Sequence, residues 1–319
     1  MTGYRVDPAA VDAPWLEEPR SVPLNLWYPT DASTGESASY IELFVDELAL
    51  VDAPVRAPAC KMPLVVYSHG SQGWGGSGSP LLRHLVSQGW LAAAPDHVDN
   101  TLLDNVDPRP ISFSATRVAD VVAAIDHLEE LPADDPLAGR VDTSKVLVVG
   151  HSFGGQTAWL LAGPTPDLAA IEARCDADVL GCSEAERAAF AQPFGDDRVV
   201  ALVPMDGAAG TDLVAAAGWA TATLPIFYMN RSGEGDSDAF DQSASAPDVG
   251  WARFEGACHE TFTSTDLPCD FDKEEGLDLA AAYLTAQGAV SVLGADDSMY
   301  TELLSGQTTI DPRVTVRRR

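Results

Sequence analysis

Lysine is nearly missing from this chain: Lys61, Lys145 and Lys273 are the only three in 319 residues. Cations of both kinds number 19 against 48 carboxylates, for a formal net charge of −29. A surface so acidic repels nucleic acid and anionic membranes, so neither is expected as a partner. The charge is read as a solubility device, and Arg317 to Arg319 as a short tail. No run of 18 apolar residues occurs, which excludes a hydrophobic membrane-spanning helix and stable membrane insertion. The opening MTGYRVDPAAVDAPW lacks the basic-then-apolar pattern of a signal peptide. Either the protein stays in the cytoplasm or a leader has been removed. Metal chemistry is not expected, because no second histidine sits near either cysteine pair. Histidine itself is sparse, with six in all.

Five cysteines are present: Cys60, Cys175, Cys182, Cys258 and Cys269. The last four fall in two close pairs within loop-like segments, CDADVLGC and CHETFTSTDLPC. Two short-range disulfides are expected, which favours a secreted or periplasmic protein. Cys60 reads as a small core residue.

Hydrophobic residues make up 46% of the chain and mean hydropathy is near zero, as in a globular protein with a substantial core. SVPLNLWY (21–28) alternates polar and apolar, the mark of a half-buried strand at an antiparallel edge. SYIELFVDELAL (39–50) is compatible with a strand or a short helix. PLVVYS (63–68), WLAAAP (90–95), KVLVV (145–149), VVALVPM (199–205), LPIFYM (224–229) and WARFEG (251–256) are apolar runs suited to strands buried on both faces. Between them, LLRHLVSQG, SATRVADVVAAIDHLEEL and GQTAWLLAG carry helical spacing, and DLAAAYLTAQGA closes the core. Ser114 is placed to cap the second of these helices. Residues 164–196 are polar, proline-bearing and irregular, with helical patches, and read as an excursion over the sheet edge or the active site. Strands alternating with helices predict an α/β fold with a mostly parallel sheet, and no linker divides residues 1–319 into two domains.

GHSFGG, Gly150 to Gly155, holds a G-x-S-x-G pattern. Alone it is weak, since a chain of this length shows it by chance about one time in ten. Its setting makes it stronger: KVLVV precedes it and QTAWLLAG follows, the strand–turn–helix context a nucleophilic serine needs. Such a turn lifts Ser152 above the carboxyl edge of the sheet, where open α/β sheets bind ligands. A serine hydroxyl needs a base. Only His259 lies beyond Ser152, in the loop GACHETF, and it is the candidate general base and acid. Activity should then fall as His259 takes up a proton. His151 abuts the serine, and its side chain is expected to be packed or hydrogen-bonded instead. Two acids compete to orient His259. Asp206 follows VVALVPM directly and is preferred, and Asp236 follows LPIFYM after the loop NRSGEGD. The candidate oxyanion donors are the backbone N–H groups of Phe153 and Ser71, the latter in the glycine-rich loop HGSQGWGGSGS. Trp74 and Phe262 are the candidate substrate-binding side chains. A Cys258–Cys269 bridge would pin the loop carrying His259.

LNLWYP, YSHGSQG, APDHVDNT, GHSFGG, VPMDG and GACHETF together resemble, in the same order, the serine α/β-hydrolases of the platelet-activating-factor acetylhydrolase and dienelactone-hydrolase-like group. The serine turn and sheet are also similar to bacterial cutinase-like polyester hydrolases. The likeness spans roughly residues 20–290. It implies an α/β-hydrolase fold with helices on both faces of the sheet, and a serine esterase that uses no cofactor. In the acetylhydrolase-like branch the acid position matches Asp206, and in cutinase-like members it is nearer Asp236. Dienelactone hydrolases proper carry cysteine where this chain has Ser152. The expected function is hydrolysis of a small to medium ester through an acyl-enzyme. The rivals are a lipase, polyester hydrolase or phospholipid acetylhydrolase, and a non-catalytic binding protein on the same fold.

Overall fold

The computed structural model describes residues 1–319 except 14, 17–19, 193, 211 and 234. Residue 193 of the 164–196 segment, residue 234 of the NRSGEGD loop and residue 14 of the opening stretch thus lie outside the described residues. One 11-stranded sheet runs through the molecule. Its strands are β1 (Thr2–Val11), β2 (Arg20–Pro29), β3 (Ser37–Tyr40), β4 (Phe44–Val51), β5 (Met62–Ser68), β6 (Leu91–Pro95), β7 (Val141–His151), β8 (Val199–Met205), β9 (Ile226–Arg231), β10 (Val249–Phe254) and β11 (Val314–Arg318). In space the order is β11-β10-β9-β8-β7-β5-β6-β2-β1-β4-β3. From β6 to β10 every neighbouring pair is parallel, so their carboxyl ends share one edge of the sheet.

The apolar runs are explained by two cores. Side chains alternate across a strand, so Leu64, Val66, Val146 and Val148 enter one core and Val65, Tyr67, Leu147 and Val149 the other. The first core is covered by α2 (Phe113–Glu129) and α3 (Phe153–Leu161), and the second by α1 (Ser79–Ser87) and α7 (Lys273–Ser291). A mostly parallel sheet with helices on both faces is the α/β-hydrolase architecture. No helix among the described residues is long and apolar enough to cross a membrane.

Several local expectations need correction. β2 is no edge strand: it is mostly buried between β1 and β6, because β1, unrecognised in the sequence, pairs along its whole length. Residues 39–50 are not one element. They turn at Ile41 and Glu42, both at positive φ, to form the antiparallel pair β3–β4. Ser114 lies buried inside α2, whose cap position is Ser112. Cys60 is exposed, not a core residue. Arg317 and Arg318 belong to β11, which pairs antiparallel with β10, so they are part of the sheet. In the 164–196 segment the helical patches are α4 (Leu168–Ala177) and α5 (Glu184–Phe190), and the Cys175–Cys182 disulfide ties α4 to the loop just before α5. Ile171, Phe190 and Phe194 anchor the segment to the first core. Two further short α-helices are α6 (Asp238–Gln242) and α8 (Ser298–Ser305).

Candidate active site

Every residue singled out for chemistry sits just past the carboxyl end of a parallel strand. Ser152 follows β7, Asp206 follows β8 and His259 follows β10. Ser152 holds φ 56° and ψ −118°, a conformation non-glycine residues rarely adopt. Its N–H bonds to the Met205 carbonyl at 2.9 Å, which ties the turn to the end of β8. Two glycines make the turn possible. A Cβ on Gly150 would fall 1.9 Å from the Gly154 carbonyl oxygen, and one on Gly154 1.8 Å from that of Ser68. Strand and helix approach too closely for any side chain there.

His259 Nδ1 donates to Asp206 Oδ2 in a short hydrogen bond. Asp206 is nearly buried, with 6% of its side chain exposed, and its backbone also holds positive φ. Arg231 approaches the same carboxylate, its Nε 3.3 Å from Oδ2 and its backbone N–H 3.4 Å from Oδ1. Asp236 is turned elsewhere, pairing with Arg253. Of the two acids, only Asp206 reaches His259.

Ser152 and His259 line one cleft of about 320 Å³, together with Ser71, Trp74, Phe44 and Leu102. No hydrogen bond joins the Ser152 hydroxyl to the imidazole in this structure. A second hollow of about 300 Å³ lies behind the His259–Asp206 pair, bounded by Tyr228, Asn230 and Asp236. Trp74 forms part of the cleft wall and stacks on Phe44, centroids 4.3 Å apart and planes 2° from parallel. Phe44 was missed in the sequence because it reaches the cleft from β4, more than 100 positions away from Ser152. Phe262 does not line the cleft. It is fully buried, edge-on to Phe254, as a support beneath the histidine loop.

The loop carrying His259 is fixed from several sides. The Cys258–Cys269 disulfide begins one residue before it. His151 Nε2 donates to the His259 carbonyl at 2.8 Å, and the Ser264 N–H donates to the Ser77 carbonyl at 2.7 Å. Burial, then the nearby His259 charge, depresses the His151 pKa to about 4. His151 is therefore neutral near pH 7 and adds no positive charge beside His259.

The two candidate oxyanion donors have no partner among the described residues. The Phe153 N–H opens α3, where an N–H lacks an intrahelical acceptor. The Ser71 N–H belongs to the loop after β5, and Gly70 packs directly over Ser152: a Cβ on it would lie 3.3 Å from the Ser152 Cβ. Arg109 stacks on the outer ring face of Phe153, 3.8 Å from its centroid.

A second serine–histidine–aspartate array, invisible in the sequence, lies beneath this loop. Ser68 Oγ meets His97 Nε2 at 2.9 Å, and His97 Nδ1 meets Asp120 Oδ2 at 2.8 Å. All three are fully buried, so no substrate reaches them. Arg20 donates to the same Asp120 oxygen at 2.8 Å. Burial pushes the Asp120 pKa up to about 7 and that of Arg117 down to about 9, and holds both His69 and His97 well below the ordinary histidine value. Among the described residues no cluster of ligating side chains suits a metal ion.

No family model matches the sequence, and no curated protein matches it. Among solved structures, a ferulic acid esterase from Streptomyces cinnamoneus superposes with a TM-score of 0.67. The alignment covers 99% of this chain and 95% of that one at 21% identity. At that identity the likeness shows a shared fold.

Proposed function

We propose that this protein is a serine hydrolase of carboxylic esters, with Ser152 as nucleophile, His259 as general base and acid, and Asp206 as the orienting carboxylate. The observation that carries this reading is the Ser152 turn, strained and facing the same cleft as an imidazole whose other nitrogen is held by a buried carboxylate. With Nδ1 donating to Asp206, the His259 lone pair sits on Nε2, the nitrogen available to Ser152. Nε2 takes the Ser152 proton as Oγ attacks the ester carbonyl. The oxyanion accepts from the Phe153 and Ser71 N–H groups. The alcohol leaves with the proton from His259. Water, deprotonated by the same imidazole, then cleaves the acyl-enzyme. Every step is supplied by the chain's own groups and needs no cofactor.

The ferulic acid esterase likeness supports ester chemistry on this fold. The Phe44–Trp74 wall supports a small to medium acyl group with an apolar or planar face. We read residues 1–319 as one hydrolase domain, since all its core strands join one sheet. The two disulfides support a secreted or periplasmic home.

The test is hydrolysis of p-nitrophenyl esters from acetyl to long acyl by wild type and Ser152→Ala, with fluorophosphonate labelling of both. Activity and labelling lost together in the variant bear out the serine mechanism. Equal rates in both proteins overturn it. A maximum at long acyl chains, or turnover of insoluble polyester, would shift the substrate class to that of a lipase or polyester hydrolase.

A further inference from the structure

We infer that buried His69 is a positioning residue for the oxyanion site, acting through the Gly70–Ser71 peptide, and that Arg117 and Asn100 hold the rest of the same loop. The inference rests on the proposed role of the Ser71 N–H. That N–H and the Gly70 carbonyl are two ends of one planar peptide, so a bond that orients the carbonyl also orients the donor.

The hydrogen bonds around His69 leave it one tautomer. The His97 backbone N–H donates into His69 Nε2 at 3.0 Å, so Nε2 carries the lone pair. The proton is then on Nδ1, which donates to the Gly70 carbonyl at 2.7 Å. The Gly73 N–H bonds to the same oxygen at 3.1 Å and closes the turn. The His69 ring is wholly buried and is kept neutral by burial and by the Arg117 charge, so this donor–acceptor pattern persists through the neutral pH range.

The rest of the loop hangs on Arg117, which lies within α2 and is 1% exposed. Its guanidinium donates to the His69 carbonyl, to Ser68 Oγ and, at 2.7 Å, to Asn100 Oδ1. Asn100 in turn donates from Nδ2 to Ser71 Oγ at 3.2 Å, and its carbonyl accepts the Gln72 N–H at 3.1 Å. The residues on both sides of the Gly70–Ser71 peptide are therefore fixed to one buried cation. The Ser68–His97–Asp120 array secures the base of the arrangement. Asp120 accepts from His97 Nδ1, which leaves Nε2 to accept the Ser68 hydroxyl proton. His97 is thereby held where its own N–H meets His69. Nothing in this assembly touches substrate. It explains why so many polar groups are buried directly beneath a glycine-rich loop.

The experiment compares full-length wild type, His69→Ala, His69→Asn and Asn100→Ala. The asparagine amide nitrogen stands where His69 Nδ1 does and can still donate to the Gly70 carbonyl. For each protein kcat and KM are measured with p-nitrophenyl acetate, together with the Kd of phenylboronic acid, whose tetrahedral serine adduct places an oxygen at the oxyanion site. His69→Ala is expected to lose about 10- to 100-fold in kcat with KM within about twofold, part of the loss seen when such a donor is deleted outright. Boronate affinity should fall by a similar factor, His69→Asn should regain most of both losses, and Asn100→Ala should lose in the same pattern. If His69→Ala keeps kcat within about twofold, or His69→Asn is no better than His69→Ala, the inference is overturned. Nitrogen-15 NMR of the wild type provides a reading free of any folding defect. His69 must carry its proton on Nδ1, and an Nε2–H tautomer overturns the inference. Failure of the serine reading looks different: wild type would escape fluorophosphonate labelling at Ser152, whatever the His69 variants do.

Discussion

Replacing Asp206 by asparagine keeps the size of the side chain while removing its charge and one of its acceptor oxygens. Asp206 Oδ1 faces the Arg231 backbone N–H at 3.4 Å, and Oδ2 receives His259 Nδ1 with Arg231 Nε nearby at 3.3 Å. An amide must choose which position holds its oxygen. If the NH2 group faces the backbone N–H, two donors oppose each other and neither can move. If it faces His259, the only other donor in its way is the Arg231 side chain, which is 52% exposed and free to swing out. The second arrangement is therefore favoured. It compels Nδ1 to accept, moves the imidazole proton to Nε2, and leaves Ser152 without a base. Loss of the carboxylate also removes the stabilisation of the imidazolium formed during attack. The expected loss in kcat is about 10⁴-fold, or ~5.4 kcal/mol at 1.36 kcal/mol per tenfold. The assay is p-nitrophenyl ester hydrolysis at pH 7 to 8, with near-ultraviolet circular dichroism to show that the fold is intact. Asp236→Asn is the control and should stay within about twofold of wild type, because its carboxylate faces Arg253. A loss below tenfold for Asp206→Asn, or an equal loss for Asp236→Asn, would refute the reasoning.

Three further outcomes concern the two disulfides and His151. Ser substitution at Cys258 and Cys269 should lower kcat about tenfold with the fold retained, because the bridge ends one residue before His259. The same change at Cys175 and Cys182 should leave activity within about twofold and cost about 2.5 kcal/mol of stability by chemical denaturation. His151 has a folded pKa of about 4, below its unfolded value of about 6.5, so the unfolded chain binds the extra proton between them. Its stabilising contribution is complete above about pH 6.5 and is lost as pH falls toward 4, roughly 3 kcal/mol across the window. His151→Gln keeps a donor for the His259 carbonyl but does not titrate. Its denaturation free energy should therefore vary less steeply with pH than that of wild type, by about 1.4 kcal/mol per pH unit, and parallel curves would refute the assignment.

Much of the core was legible because its signals are local. A strand buried on both faces has to be apolar throughout, which is why PLVVYS, KVLVV and VVALVPM stood out. Ser152 could be picked out because close strand–helix approach demands Gly150 and Gly154. β1 and β11 were not legible. β1 is TGYRVDPAAV: Pro8 is tolerated on the exposed side with Val6 and Ala10, and Arg5 and Asp7, half-buried on the other side, are paired with each other, Asp135 and His127. β11 is VTVRR, whose arginines reach Asp248 and the Trp251 ring from a surface strand. Neither has the apolar run that marks an interior strand. The β3–β4 pair was obscured because its turn uses Ile41 and Glu42 at positive φ, where glycine or asparagine would have signalled it.

The sequence by itself determined the layered α/β architecture, the serine turn and the one histidine beyond it. Each of these depends on side-chain periodicity, on backbone sterics or on chain order. Only the tertiary structure decided which acid meets His259, since Asp206 and Asp236 both follow strands and differ only in direction. It also brought Phe44 to the cleft and assembled Ser68, His69, His97, Asn100, Arg117 and Asp120 into one buried network. Those six residues come from three separate segments, and no periodicity connects them. Hydrogen bonds between distant segments are set by how helices and strands pack, and in one dimension such residues look like ordinary polar positions.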